Sequence, residues 1–228
     1  FGRGYGKMGM TNLVNTSGVV ASDVSAVGTA RSELAAGTFG TDKAIFAFGD
    51  TGSLTAISNL VSNSGVVASD TTGVGTARTG AAAAEFGTDK SIFGFGASPF
   101  AVGMTNLVSN SGVVATDISA VGTARYDVYA VGYSTDKGIF DKGSVNVSNL
   151  VSNSGVVASD TSGVGTSKHR GSATPYGNGK AIEAYGSSPV SGAPESSSNL
   201  ISDSGVVAAD VTLVGTGRSN IGGAAYGT

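Results

Sequence analysis

The sequence predicts an all-β fold, a five-bladed β-propeller of about 47-residue, four-stranded blades. Three observations predict it: a unit that recurs five times, turn residues at the spacing of about 8–12 expected of all-β chains, and terminal segments that complement one another. The phrase Asn-Leu-Val/Ile starts at Asn12, Asn59, Asn106, Asn149 and Asn199. Ser-Gly-Val-Val starts at Ser17, Ser64, Ser111, Ser154 and Ser204. Successive copies of both lie 47, 47, 43 and 50 residues apart. An Asp follows in every unit (Asp23, Asp70, Asp117, Asp160, Asp210), then Val-Gly-Thr-x-Arg/Lys, whose cation is Arg31, Arg78, Arg125, Lys168 or Arg218. A fourth phrase, Phe-Gly-Thr-Asp-Lys-Ala-Ile-Phe-Ala-Phe-Gly, fills 39–49, returns at 86–96 and drifts at 133–143 and 176–186. Four phrases in fixed order exclude chance, and a period of this length marks a repeat architecture.

Within one unit, 90–96 alternates large and small side chains with the period of two that a strand imposes. Residues 103–108 read as a second short strand. Ser109-Asn110-Ser111-Gly112 is turn chemistry, because Asn and Gly tolerate positive φ and Ser and Asn bond their own backbone. Residues 112–116 read as a third strand, 117–122 as a turn, and Thr123 onward as a fourth strand. Ala81–Ala84 is too short to stand alone as a helix. Four short strands per unit match a propeller blade.

The ends of the chain predict how the blades are joined. The fifth unit stops at Tyr226-Gly227-Thr228 without the Asp-Lys-Ala-Ile-Phe segment. Phe1–Gly6 is a degraded copy of it, with Tyr5-Gly6 matching Phe48-Gly49, Phe95-Gly96 and Tyr185-Gly186. The N-terminal segment is therefore expected to complete the last blade, closing residues 1–228 into one domain. An open solenoid would need polar caps instead. Phe1 is not an initiator Met, so a processed chain or a piece of a longer one is expected.

Composition narrows function. There are 37 Gly, no Cys, no Trp and one His. Without Cys there is no disulfide framework, no Cys-zinc site and no thiol nucleophile. Charged residues are 13%, about half the usual share, and the net charge of −3 offers no electrostatic footprint for nucleic acid. No apolar run reaches the length of a membrane span. No metal and no cofactor are expected.

The repeated Asp is expected to cap its own turn by accepting backbone N–H bonds; one carboxylate per unit is too few for a calcium loop. The repeated cation is expected to pair with Asp within or between blades, the alternative being a ring of cations that holds an anion in the channel. Lys43, Lys90, Lys137 and Lys180 read as edge-protecting residues at a strand start. The remaining charges are spread over all units and form no acid–base pair, so no enzyme is expected. His169, between Lys168 and Arg170, reads as a surface residue. Aromatics outside repeat slots are Phe1, Phe100, Tyr126 and Tyr129. Phe100, Tyr126, Tyr129, His169 and Arg170 are the candidate binding residues, since aromatics without packing duty are what a sugar or protein partner uses. Two stretches vary between units, one before Asn-Leu-Val and one after the cation, and both read as loops.

The phrases Thr-Asn-Leu-Val-Ser-Asn-Ser-Gly-Val-Val (105–114), Gly-Val-Gly-Thr-Ala-Arg (73–78) and Phe-Gly-Thr-Asp-Lys-Ala-Ile-Phe (39–46) resemble the kelch-like repeats of bacteriophage fibre and virion structural proteins. The resemblance runs along the whole chain. It implies a non-enzymatic virion-associated propeller, outside the cell, contacting other virion proteins or a host-surface glycan or protein. The alternative is a stand-alone lectin-like propeller with one site per blade. Units four and five depart from the pattern, with Lys168 for Arg, Gly179 for Asp and Glu183 for Phe.

Overall fold

The structure, a computed structural model, describes residues 2–3, 6–212 and 215–225. Among them there is no helix, and so none long and apolar enough to cross a membrane. A short hairpin pairs β1 (Gly2–Arg3) with β2 (Lys7–Met8). Four antiparallel sheets follow. The first is β3 (Ala35–Phe39), β4 (Lys43–Ala47) and β5 (Ser58–Val61); the second is β6 (Ala82–Phe86), β7 (Lys90–Gly94) and β8 (Thr105–Val108). The third adds a fourth strand: β9 (Tyr129–Tyr133), β10 (Lys137–Asp141), β11 (Val147–Val151) and β12 (Thr161–Ser162). The last is β13 (Ser172–Tyr176), β14 (Lys180–Ala184), β15 (Ser197–Ile201) and β16 (Val211–Thr212). In each, strands pair in sequence order.

Local chemistry accounts for these boundaries. Each central strand (β4, β7, β10, β14) starts on the repeated Lys. A tight hairpin precedes it, Gly-Thr-Asp in the first two sheets, with Phe39 opposite Lys43 and Phe86 opposite Lys90. The third strand of each sheet ends in a Ser-Asn-Ser-Gly turn, Ser-Asp-Ser-Gly in the last sheet. There Ser62 Oγ accepts the N–H groups of Ser64 (3.3 Å) and Val66 (3.1 Å), an arrangement repeated at Ser109, Ser152 and Ser202.

Three expectations are corrected here. Residues 112–116 are not a strand; in that stretch only Val114 bridges back to Val108. The outer strand is reduced to the bridges Ser58–Thr71 and Thr105–Ile118 in the first two sheets and to two residues in β12 and β16. Thr123–Arg125 is not a strand either, because its polar groups bond to a neighbouring unit, and the strand begins at Tyr129. The variable stretch after the cation, Ala81–Ala84 included, is therefore no loop: it holds β3, β6, β9 and β13.

The core lies between sheets, not within them. One cluster joins Phe39, Ile45 and Phe48 of the first sheet to Phe93 and Val108 of the second. Another joins Ile92 and Phe95 to Phe140 and Val151. The third joins Val131 and Ile139 to Ala181 and Ile201. The second and third sheets thus bury one face against the sheet before and the other against the sheet after, while among the described residues the first and fourth share a core cluster with one neighbour each.

The expected completion of the last blade falls mostly on Phe1, Gly4, Tyr5 and 226–228, which lie outside the described residues. Among the described residues, Gly2–Arg3 pairs with Lys7–Met8, and 215–225 contain no strand.

Candidate functional site

The repeated polar residues meet between units. At the joint of the first two sheets, Arg78 is fully buried. Its Nη2 donates to Asn106 Oδ1 (2.6 Å), its Nη1 donates to Thr76 O (3.2 Å), and the guanidinium lies 3.8 Å from the Phe48 ring centre. Asn106 Nδ2 donates to Asp117 Oδ1 (2.9 Å), and Asp117 Oδ2 accepts both the N–H (3.0 Å) and the O–H (2.7 Å) of Thr76. The expectation that the Asp caps its own turn is therefore corrected: it caps the preceding unit. Its contact with the cation is looser, 3.8 Å from Arg78 Nη1. The channel-ring alternative for the cations is excluded for Arg31, Arg78, Arg125 and Lys168, all fully buried. Gly75 makes the approach possible: its φ is +84°, and a Cβ there would lie 2.4 Å from Asp117 Oδ1. Thr29–Asp70, Thr123–Asp160 and Thr166–Asp210 repeat the bond. Asp23 accepts only from Asn12 among the described residues (2.8 Å), and exposed Arg218 stacks on Tyr185.

Burial pushes the Asp117 carboxyl up, but the Thr76 and Asn106 hydrogen bonds outweigh it and hold the group below its ordinary value. The same holds for Asp70, Asp160 and Asp210. A depressed folded-state pKa contributes stability above the unfolded value near 3.8 that is lost as pH falls through the folded value. The urea midpoint is therefore expected to drop steeply below about pH 4. Asp117→Asn should make that acid arm measurably shallower; an unchanged arm would contradict the role given to this carboxylate.

The joint of the third and fourth sheets is built differently. In the other two, Phe48 meets Phe93 and Phe95 meets Phe140 edge to face, at 5.4 and 5.1 Å. Here Lys142 stands in the slot of Phe48 and Phe95, Glu183 in that of Phe93 and Phe140, and Lys168 in that of Arg78 and Arg125. Lys142 Nζ bonds Glu183 Oε1 and Asp141 Oδ2, the latter at 3.0 Å, and Lys168 Nζ lies 4.0 Å from Glu183 Oε1 and 2.8 Å from Asn199 Oδ1. All four ionisable groups are enclosed. Burial, with Asp141 adding to it, pushes Glu183 up to about 8. Tyr129 is packed alongside, where the first two sheets carry Ala35 and Ala82. Its O–H donates to Tyr185 O (2.6 Å), and it fits because positions 171 and 186 are Gly. The sequence reading, which spread the off-slot charges over all units, is corrected: five of them gather at this joint or its rim. The legible signal was a simultaneous change of residue type in three aligned slots.

A second feature draws on every unit. The dipeptide after the cation is Ser32-Glu33, Thr79-Gly80, Tyr126-Asp127, His169-Arg170 and Ser219-Asn220. Its second residue is left-handed in all five, with φ of 55°, 59°, 53°, 57° and 55°. Backbone bonds link them in series: Gly80 N–H to Glu33 O (3.3 Å), Asp127 to Gly80 (2.9 Å), Arg170 to Asp127 (3.5 Å) and Asn220 to Arg170 (2.7 Å). All five line one cavity of about 1310 Å³. We call this cavity the mouth. Ser32 on its wall is buried, and its Oγ has no hydrogen-bond partner among the described residues.

Of the candidate binding residues, Tyr126 and Arg170 line the mouth. Arg170 Nε donates to Asp127 Oδ2 (2.8 Å). Phe100 is 83% exposed on a loop outside it. Tyr129 is buried, so its aromatic ring is packing after all. His169 is also buried, against the surface placement expected: it pairs with Ser187 across the backbone, and its Nδ1 is 3.6 Å from Asp127 Oδ2. Burial holds its pKa below the ordinary value against the pull of Asp127. Among the described residues no three His, Asp or Glu gather to hold a metal ion.

No protein-family model matches the chain. A search of curated proteins gives no match either.

Proposed function

We propose that the chain is a five-bladed β-propeller serving as a non-enzymatic recognition module on a virion, with the mouth as its binding face. The observation that carries this reading is the convergence of equivalent residues from all five repeats on one cavity. The backbone frame there is constant and the side chains differ. A left-handed residue other than Gly, Asn or Asp costs about 1–2 kcal/mol, and the chain uses 37 Gly freely. Yet two of the five positions carry Glu33 and Arg170, which meet that cost in full. That cost has a purpose if these side chains touch a ligand. Among the described residues the carboxyl raised toward neutrality, Glu183, is sealed beside Lys142, which supports binding over catalysis. The virion placement rests on the phage-like repeat phrases.

The test has two arms. Labelled chain is applied to a glycan array and to host envelope material, beside a Tyr126→Ala/Arg170→Ala/Asn220→Ala variant and a Lys43→Ala/Lys90→Ala variant altered at the hairpin turns. Binding lost only in the mouth variant, with one ligand per chain, is the expected result. Five ligands per chain, or binding that ignores the mouth variant, sinks the reading, the first in favour of a lectin with one site per blade. Immunogold labelling of the encoding particles checks the virion placement; bare particles overturn it.

A further inference from the structure

We infer that the mouth takes one small monocarboxylate bearing neighbouring hydroxyls, an acidic sugar in chemical class, with Arg170 as its anchor. This rests on the mouth being the binding face. Three observations carry the ligand class.

First, Arg170 is oriented and incompletely used. Asp127 holds it through Nε at 2.8 Å, while neither terminal nitrogen donates a hydrogen bond among the described residues. The side chain is 48% exposed and lines the cavity. A guanidinium fixed at Nε presents its Nη pair as a planar fork, which matches a carboxylate in two parallel bonds. Arg170 is also the one cation in the five-membered set. The left-handed backbone there favours Gly, as at Gly80, and Arg170 stands in it nonetheless.

Second, the charge balance of the wall selects against a dianion. Glu33 and Asp127 line the same cavity as Arg170. With Asp127 already paired to Arg170, Glu33 remains as a carboxylate with no ion-pair partner among the described residues. A phosphate dianion would meet that repulsion almost in full, and a monoanion about half of it. Hydroxyl groups on the same ligand convert Glu33 into an asset, because an ionised carboxylate accepts up to about four hydrogen bonds.

Third, the wall holds hydroxyl and ring chemistry suited to a sugar. Ser32 Oγ is buried without a partner among the described residues, which is costly unless a ligand or water completes it. Tyr126, 37% exposed, adds a ring on which a pyranose can stack.

The experiment is calorimetric titration of the whole chain with sodium glucuronate, glucose and inorganic phosphate in turn. The expected result is saturable glucuronate binding at one site per chain, at least tenfold tighter than glucose or phosphate. Arg170→Gln is expected to weaken glucuronate by roughly tenfold to a hundredfold, the range for a charge-assisted bond. Arg170→Lys keeps the charge and its pairing with Asp127 but loses the fork, so it too should lose most of the affinity. Lys90→Gln should change nothing. Each variant's thermal midpoint is compared with the parent's, and Arg170→Lys serves if Arg170→Gln fails to fold. Glucose or phosphate binding as tightly as glucuronate overturns the inference. So does an unaltered affinity in Arg170→Lys, or no saturable glucuronate binding. None of these results touches the recognition reading, which is decided separately by how the mouth variant binds host material.

Discussion

Lys142→Met is expected to destabilise the protein by about 3–5 kcal/mol, the usual cost of removing one partner from a buried ion pair. Lys142 Nζ is the group that joins Asp141 and Glu183, and both carboxyls are enclosed. Without it they are left facing each other, with Lys168 at 4.0 Å as the remaining cation. Glu183→Ala should be costly as well. The joint rewritten as Asp141→Ala/Lys142→Phe/Glu183→Phe/Lys168→Arg should recover much of the loss or exceed the parent, because it rebuilds the Ala47–Phe48–Phe93–Arg78 arrangement, leaves no enclosed carboxylate, and buried pairs often yield to apolar replacements. Urea midpoints at constant slope measure all three. Single variants within about 1 kcal/mol of the parent would sink the idea. The joint also has its own pH signature. Glu183 is raised from 4.5 to about 8. A raised folded-state pKa contributes stability that is fully present below 4.5 and lost as pH rises through about 8. Its sign is opposite to that of the capping aspartates, so the two together predict a stability maximum between the acid arm and neutral pH.

Arg78→Met is expected to cost about 3 kcal/mol. It removes a charged hydrogen bond worth about 1.5–3 kcal/mol and a desolvated cation–π contact worth up to about 2, while the methionine recovers part of the packing. Asn106 Oδ1 is left without its donor inside the joint. Arg78→Lys should cost less, about 1 kcal/mol, since Lys168 reaches Asn199 Oδ1 at 2.8 Å in the equivalent place. Arg218→Ala is the internal control. Arg218 is exposed and rests on Tyr185 at 3.7 Å, so its loss should fall near 0.5 kcal/mol. If Arg78→Met and Arg218→Ala shift the midpoint equally, the buried Arg–Asn–Asp relay does not hold the sheets together.

Much of the architecture was legible because the repeat shows which residues do the same job. The Lys that starts each central strand, the hairpin before it and the Ser-Asn-Ser-Gly turn are local chemistry, decided within a few residues. The strand after the cation was misread because Tyr129–Tyr133 and Ala82–Phe86 share no phrase. Only their pairing with β10 and β7 reveals them. His169 was misread because its flanks, Lys168 and Arg170, are charged. The structure buries Lys168 as well and turns Arg170 out to the mouth.

The sequence by itself determined the period, the all-β character and the identity of the repeated Asn, Asp and Arg. These follow from local propensity and from counting along the chain. Only the tertiary structure decided which unit each of them serves. Asp117 caps Thr76, 41 residues earlier, and Lys142 bonds Glu183, 41 residues later. The reason is geometric. A sheet of three or four short strands has two apolar faces and cannot bury either alone, so its polar ends are satisfied by the next sheet. That partner is fixed by packing and not by neighbourhood in the chain. The same packing brings the five left-handed dipeptides, 43–50 residues apart, to the wall of one cavity.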